Sequence, residues 1–295
     1  MKRQTGNPIT RRQAITSIAA ISAGALLKPS SVWCSPVKDK LRFAVIGDWG
    51  TGDHDQQGIA SQMLSAHQSK PFDFVISAGD NIYPNGHPRY FANNFERPFE
   101  GLLNDRVKFY AVLGNHDVEQ GRHEQCQYPL FNMEGSSHYT LRKGDGMADF
   151  FMLDSNDFDP PQATWLENAL RTSGAKWKIA VFHHPLYSSG KKHGSAVALR
   201  KTLEPLFTQY GVTIAFSGHD HVYERIKPQQ GIQYFVSGAG GKVRRGDVNL
   251  KSELRAASFD EDNHFMLIEI ENGQVTFQAI SETGAIVDKG AIKQS

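Results

Sequence analysis

From about residue 41 the chain alternates short apolar runs with amphipathic stretches. LRFAVIGD, FDFVISAGD, VKFYAVLGNHD, ADFFMLDSN, KIAVFHHP and VTIAFSGHDH each read as a buried strand that runs out into a polar, glycine-punctuated loop. Between several of them lie helical patterns: QQGIASQMLSAHQ, PQATWLENALRTS with Pro161 near its start, and VALRKTLEPLFTQYG closed by Gly211. Two further apolar strands, HFMLIEI and QVTFQAI, flank Glu271-Asn272-Gly273 and predict a hairpin. Strands alternating with helices and followed by β structure predict an α/β protein. The expected architecture is two mixed sheets packed face to face with helices outside, a four-layer α-β-β-α sandwich.

The first 35 residues stand apart from this pattern. They hold a basic head with Arg11 and Arg12 in TRRQAIT, an apolar stretch from Ala14 to Leu27, then Lys28 and a Pro/Ser-rich segment. This resembles a bacterial twin-arginine export signal, which implies the twin-arginine translocase as a partner during export and a periplasmic or secreted mature protein. The expected organisation is a signal peptide over 1–35 and one catalytic domain over 36–295. No apolar run approaches the roughly 18 residues of a membrane span, so no membrane is expected to hold the mature form. Trp33 before Cys34 is the wrong neighbour for a lipidated cysteine.

Composition sharpens this. The chain has 295 residues, 39% hydrophobic and 21% charged, enough to bury a substantial core. Residues 1–35 carry five cations and no acid, so their removal takes the formal charge from +1 to −4. A mildly acidic surface offers nothing to nucleic acid or to anionic lipid. Only Cys34 and Cys126 are present, and loss of the first with the signal leaves no intramolecular disulfide.

What distinguishes the chain is where its polar residues fall. In open α/β sheets ligands collect beyond the carboxyl ends of the strands. Five apolar runs end in residues of metal-ligand type: Asp48 in GDWG, Asp80 in GDNIY, Asn115 and His116 in GNHD, the pair His183-His184, and His219 with His221 in GHDH. Each alone has a bland explanation as a turn or a packed histidine. Five in succession at strand ends point to a metal site.

In that order, GD-x-G, GD-x-x-Y, GNHD, a strand-terminal histidine and GH-x-H resemble the metallophosphoesterases, and within them the purple acid phosphatases of the small, tartrate-resistant type. The resemblance runs from Phe43 to the glycines at Gly238–Gly241. Where sister families have D-x-H, this chain has Gly50, and the resemblance implies that Tyr83 replaces the missing histidine. It further implies Fe(III) held by Asp48, Asp80, Tyr83 and His221, since hard anionic oxygen donors suit a trivalent ion. A second metal, Fe(II), Zn(II) or Mn(II), would take Asp80 as a bridge with Asn115, His219 and one histidine of the pair.

On a strand, neighbouring side chains point to opposite faces, so His183 and His184 are not expected to share a site. Counting from Val181 by the family's V-x-x-H reaches His184, whereas the family's proline, two places after the ligand, reaches His183 from Pro185. Proline fixes the exit from the strand, which favours His183 and leaves His184 facing away or supporting from outside. The implied activity is phosphomonoester hydrolysis, with a metal-bound hydroxide attacking phosphorus in line. His116, oriented by Asp117, and His193 in KKHG would bind phosphate and protonate the leaving group. The alternatives are a phosphodiesterase or nucleotide hydrolase on the same metals, or a non-catalytic metal-binding protein. Small phosphoesters are the expected substrates.

Overall fold

The computed structural model describes residues 40–293; the segment expected to be an export signal, with Arg11, Arg12 and Cys34, lies outside the described residues. The strands, numbered in chain order, are β1 (Lys40–Ile46), β2 (Phe74–Ser77), β3 (Lys108–Ala111), β4 (Tyr139–Lys143), β5 (Ala148–Met152), β6 (Trp177–Val181), β7 (Ile214–Ser217), β8 (Tyr223–Ile226), β9 (Gln233–Ser237), β10 (Arg255–Phe259), β11 (His264–Glu271), β12 (Gln274–Ser281) and β13 (Ile286–Lys293). They form two mixed sheets. One has the order β13-β12-β11-β1-β2-β3 and the other β10-β8-β9-β7-β6-β5-β4. In the first sheet β1, β2 and β3 are parallel, and in the second β5, β6, β7 and β9 are.

The apolar runs become the parallel strands of the two sheets because those are covered on both faces. Between the sheets, Phe43 and Phe74 stack at 5.2 Å and Phe150 meets Phe43 edge-on at 5.1 Å. Outside the first sheet, helix His54–Ser69 lays Ile59, Ala60 and Met63 against a cluster that includes Trp49, Phe95 and Phe109. Outside the second, helices Pro160–Thr172 and Val197–Tyr210 bury Leu166, Leu170, Leu203 and Phe207. Four layers result, as the pattern predicts. Asp53 and Asp159 cap the first two helices by accepting from Gln56 N and Gln162 N, and Gly211 ends the third at φ 72°.

The predicted hairpin is β11–β12. Glu271 pairs with Gln274, and Asn272 and Gly273 both have positive φ, which makes a type I′ turn. Strands β4, β8, β9, β10 and β13 are not foreseen by the apolar pattern. Three of them, β4, β10 and β13, are sheet edges with mixed side chains, YTLRK, RAASF and IVDKGAIK, whose pairing comes from the neighbour rather than from their own pattern. Among the described residues, no helix is long and apolar enough to cross a membrane, and Cys126 is a buried free thiol.

Candidate metal centre

The parallel strands of both sheets deliver their carboxyl ends to one place. Asp48 follows β1, Asp80 and Tyr83 follow β2, Asn115 and His116 follow β3, His183 follows β6, and His219 and His221 follow β7. Their side chains gather into two clusters. In the first, the Tyr83 hydroxyl donates to Asp80 Oδ2 at 2.9 Å and lies 3.3 Å from both Asp48 Oδ1 and His221 Nε2. In the second, His183 Nε2 lies 3.1 Å from Asn115 Oδ1, 3.3 Å from His219 Nδ1 and 3.5 Å from Asp80 Oδ1. Asp80 thus presents one carboxylate oxygen to each cluster.

The donor chemistry fits cations in both. His183 Nδ1 lies 2.9 Å from the Ala78 carbonyl, which can only accept, so the ring proton is on Nδ1 and Nε2 carries a lone pair. That lone pair faces two oxygen acceptors. Protonation does not rescue the arrangement, because complete burial and the neighbouring His184 push the pKa of His183 well below that of a free imidazole. His219 is pushed down by burial and the other histidines, and His221 to about 4 by burial and then by Arg244 and Lys242. Asp48 is raised well above the carboxylate range by burial and by Asp80. Neutral imidazoles and crowded, buried carboxylates are what a metal ion needs and what a dry core avoids. Asp48, Asp80 and His221 also bring one ligand atom each within 4.8 Å of one another.

The loops hold this arrangement against backbone strain. Asp48, Asp80 and His219 have φ of 57°, 51° and 70°. Each such residue costs about 1–3 kcal/mol, which persists only where the surroundings over-determine it. Asp48 Oδ2 accepts from His219 N at 2.8 Å, and Asp80 Oδ1 from His116 N at 3.0 Å, so ligand side chains stitch the loops of different strands together. Space is also tight. A Cβ at Gly114 would stand 2.1 Å from Asp80 Oδ1, and one at Gly218 would stand 2.4 Å from Asp48 Oδ2.

Asp117 departs from its expected role. It does not orient His116. Its buried carboxylate accepts five N–H bonds, from Asn81 N, Asn81 Nδ2, Ile82 N, Gly114 N and Gln125 Nε2, all between 2.8 and 3.0 Å. Burial and the Asp80 charge push its pKa up to about 7 while these donors pull it down; donors around both oxygens require the ionised form. His116 is instead held through Nδ1, 2.6 Å from the Pro84 carbonyl, with its ring 4.6 Å from that of Tyr83 and Nε2 4.0 Å from Asp80 Oδ2. Beneath the centre the network continues. Trp49 Nε1 donates to Ser77 Oγ at 2.8 Å, Ser77 Oγ bonds Asn81 Oδ1, and Asn81 Nδ2 reaches the Val112 carbonyl at 2.8 Å. Ser77, Asn81 and Gln125 escape sequence reasoning, since a serine ending a strand, an asparagine in the turn after it and a glutamine in a short helix carry no local sign that they meet.

His193 lies over the second cluster, its ring 4.2 Å from that of His219. Asp220 Oδ2, accepting from Gly194 N at 3.1 Å, pins the turn that carries it. His184 does not face away: its ring is 4.5 Å from that of His219 and its Nδ1 lies 2.9 Å from Ser155 Oγ. Strand alternation fails there because β6 ends at Val181, two residues before the pair. Of the pair, His183 is the one with a ring nitrogen among the donors of the second cluster. His183→Ala should therefore deplete mainly the second metal, with His184→Ala leaving close to two equivalents by elemental analysis; the reverse pattern would exchange their roles.

Donors from five strand ends, split by one carboxylate into two clusters, define a dinuclear metallophosphoesterase. Residues 41–223 match the calcineurin-like phosphoesterase family. Purple acid phosphatase 17 of Arabidopsis thaliana is 31% identical over 268 residues, covering 79% of this chain and 78% of that protein. Tartrate-resistant acid phosphatase type 5 of Rattus norvegicus is 27% identical over 310 residues, covering 90% and 94%. In fold the chain is similar to GAP50, described as the anchor in the inner membrane complex of Plasmodium, with a TM-score of 0.78 and 21% identity over 87% of this chain and 89% of that one. The chain belongs to the calcineurin-like phosphoesterases and, within them, to the purple acid phosphatases. It is an enzyme, a phosphomonoester hydrolase.

Proposed function

We propose that the chain is an exported acid phosphatase whose first metal, Fe(III), is held by Asp48, Asp80, Tyr83 and His221, and whose second, Fe(II), Zn(II) or Mn(II), is held by Asp80, Asn115, His183 and His219. The observation that carries this reading is the division of the Asp80 oxygens between the two clusters. Two carboxylates and a phenolate suit a trivalent ion, and two imidazoles with an amide carbonyl suit a divalent one. When bound, the metal pair supplies Lewis acidity toward the phosphate and lowers the pKa of water, so hydrolysis can run below neutral pH.

The remaining chemistry belongs to side chains. His116 keeps its Nδ1 proton on the Pro84 carbonyl, which leaves Nε2 as the atom that carries a proton to the leaving oxygen. His193, above His219, offers an N–H to a phosphate oxygen. Asp117 acts at a distance by locking the loops that carry Asp80 and Asn115. The substrates are small phosphoesters, with no nucleic acid or membrane partner.

After loading with iron and zinc, the protein should hydrolyse p-nitrophenyl phosphate faster at pH 5–6 than at pH 8, and faster than bis-p-nitrophenyl phosphate. A flat zero on the monoester would sink the reading, and preference for the diester would turn it into a phosphodiesterase. A phenolate on Fe(III) also absorbs in the visible, so the oxidised protein should be violet and Tyr83→Phe should bleach that band. Full Fe(III) content without colour would leave Tyr83 a mere neighbour of the site. Export rests on Arg11 and Arg12. Replacing both by lysine should hold the precursor in the cytoplasm, and normal export of that variant would remove the twin-arginine assignment.

A further inference from the structure

A cleft of about 490 Å³ opens beside the metal centre, and its lining includes Tyr83, His116, Tyr90, Asn93 and Lys242. Its position matters because an in-line displacement sends the leaving oxygen away from the attacking one, past the acid that protonates it. With His116 as that acid, the cleft is where the leaving group must lie. This step rests on the function proposed above.

The wall carries one ammonium group. Lys242 Nζ stands 4.4 Å over the Tyr83 ring and makes no ion pair with a described residue. Two arginines that do not line the cleft bond residues that do: Arg89 the Tyr90 hydroxyl, and Arg97 Asn93 Oδ1. One carboxylate, Asp53, borders the cleft, and it is engaged in starting a helix: its Oδ1 accepts from Thr51 Oγ1 at 2.6 Å and from Gln56 N at 3.1 Å. Lys242 is therefore the group in this wall that is free to meet an anion.

We propose that this cleft binds the leaving group and that Lys242 selects phosphoesters whose leaving group carries a second anionic group, as in bisphosphates and phosphoanhydrides. The reaction itself is unaltered: a bond forms between water oxygen and phosphorus, the bond from phosphorus to the leaving oxygen breaks, that oxygen takes the proton of His116, phosphate departs, and the proton shed by the water restores His116 through solvent.

The test compares phenyl phosphate with 4-carboxyphenyl phosphate on the iron- and zinc-loaded protein, and the binding of the corresponding phosphonates by calorimetry. Because intrinsic reactivity cancels between variants, the readout is the ratio of kcat/KM for the charged ester to that for the neutral one. Lys242→Ala should lower this ratio about tenfold, mainly through KM, as expected for loss of one charge-assisted contact. Lys242→Arg should restore it to within about twofold, and Lys242→Glu should lower it further. The affinity ratio of the two phosphonates should move in parallel. Ratios indifferent to residue 242, with both esters hydrolysed, would overturn the proposal and leave the phosphatase reading intact. Selective phosphonate binding through Lys242 without hydrolysis of either ester would do the opposite.

Discussion

Asp80→Ala should empty both halves of the metal centre at once. No other side chain in the centre is shared between the clusters: Oδ2 accepts from the Tyr83 hydroxyl at 2.9 Å, and Oδ1 lies 3.5 Å from His183 Nε2. Removing it takes one anionic donor from each metal and the charge that holds them side by side. Since Lewis-acid stabilisation is worth several kcal/mol, hydrolysis of p-nitrophenyl phosphate should fall by about a thousandfold or more. Metal analysis is the direct check. Asp48→Ala should deplete mainly the first metal and Asn115→Ala mainly the second, so the three variants together separate a bridge from two independent sites. One full equivalent retained in Asp80→Ala would count against the bridge.

Asp117→Ala should have its largest effect on stability rather than on the chemical step. Five N–H donors converge on this fully buried carboxylate, and they come from the loops after β2 and β3 and from Gln125. Leaving buried donors unpaired costs roughly 1–3 kcal/mol each, and with water refilling part of the space the net loss should be on the order of 4 kcal/mol. At the usual 2–4 °C per kcal/mol for a chain of this size, Tm should fall by roughly 10 °C. Asn in its place should lose somewhat less, since one oxygen survives while its amide confronts donors. Thermal denaturation in chelator measures the effect without the stabilisation that bound metal adds. An unchanged Tm with a reduced kcat would restore to Asp117 the orientation of His116.

Both variants show how unevenly the centre was legible. The types of residue at the ends of β1, β2, β3, β6 and β7 could be read directly, because a buried strand and the turn that ends it are local features of composition. The proline spacing that picked His183 over His184 is local too. Edge strands such as β4 and β13 were not legible. Their residues are half exposed and mixed in character, and they become strands only when a central strand offers hydrogen bonds.

The sequence by itself therefore determined the α/β class, the hairpin at Asn272-Gly273, the end of a helix at Gly211, and the roster of ligand-type residues. Tertiary structure alone decided how that roster is grouped. Asp80 divides its oxygens between clusters because β2 lies between β1 and β3 and opposite the second sheet. His184 turns toward His219 because Ser155, 29 residues away, holds its ring. Asp117, adjacent to His116 in the chain, spends its carboxylate on Asn81 and Ile82, about 35 residues back. A carboxylate's partners are whichever donors lie within 3 Å of it, and in a folded chain those donors are set by the packing of distant loops rather than by its neighbours in sequence.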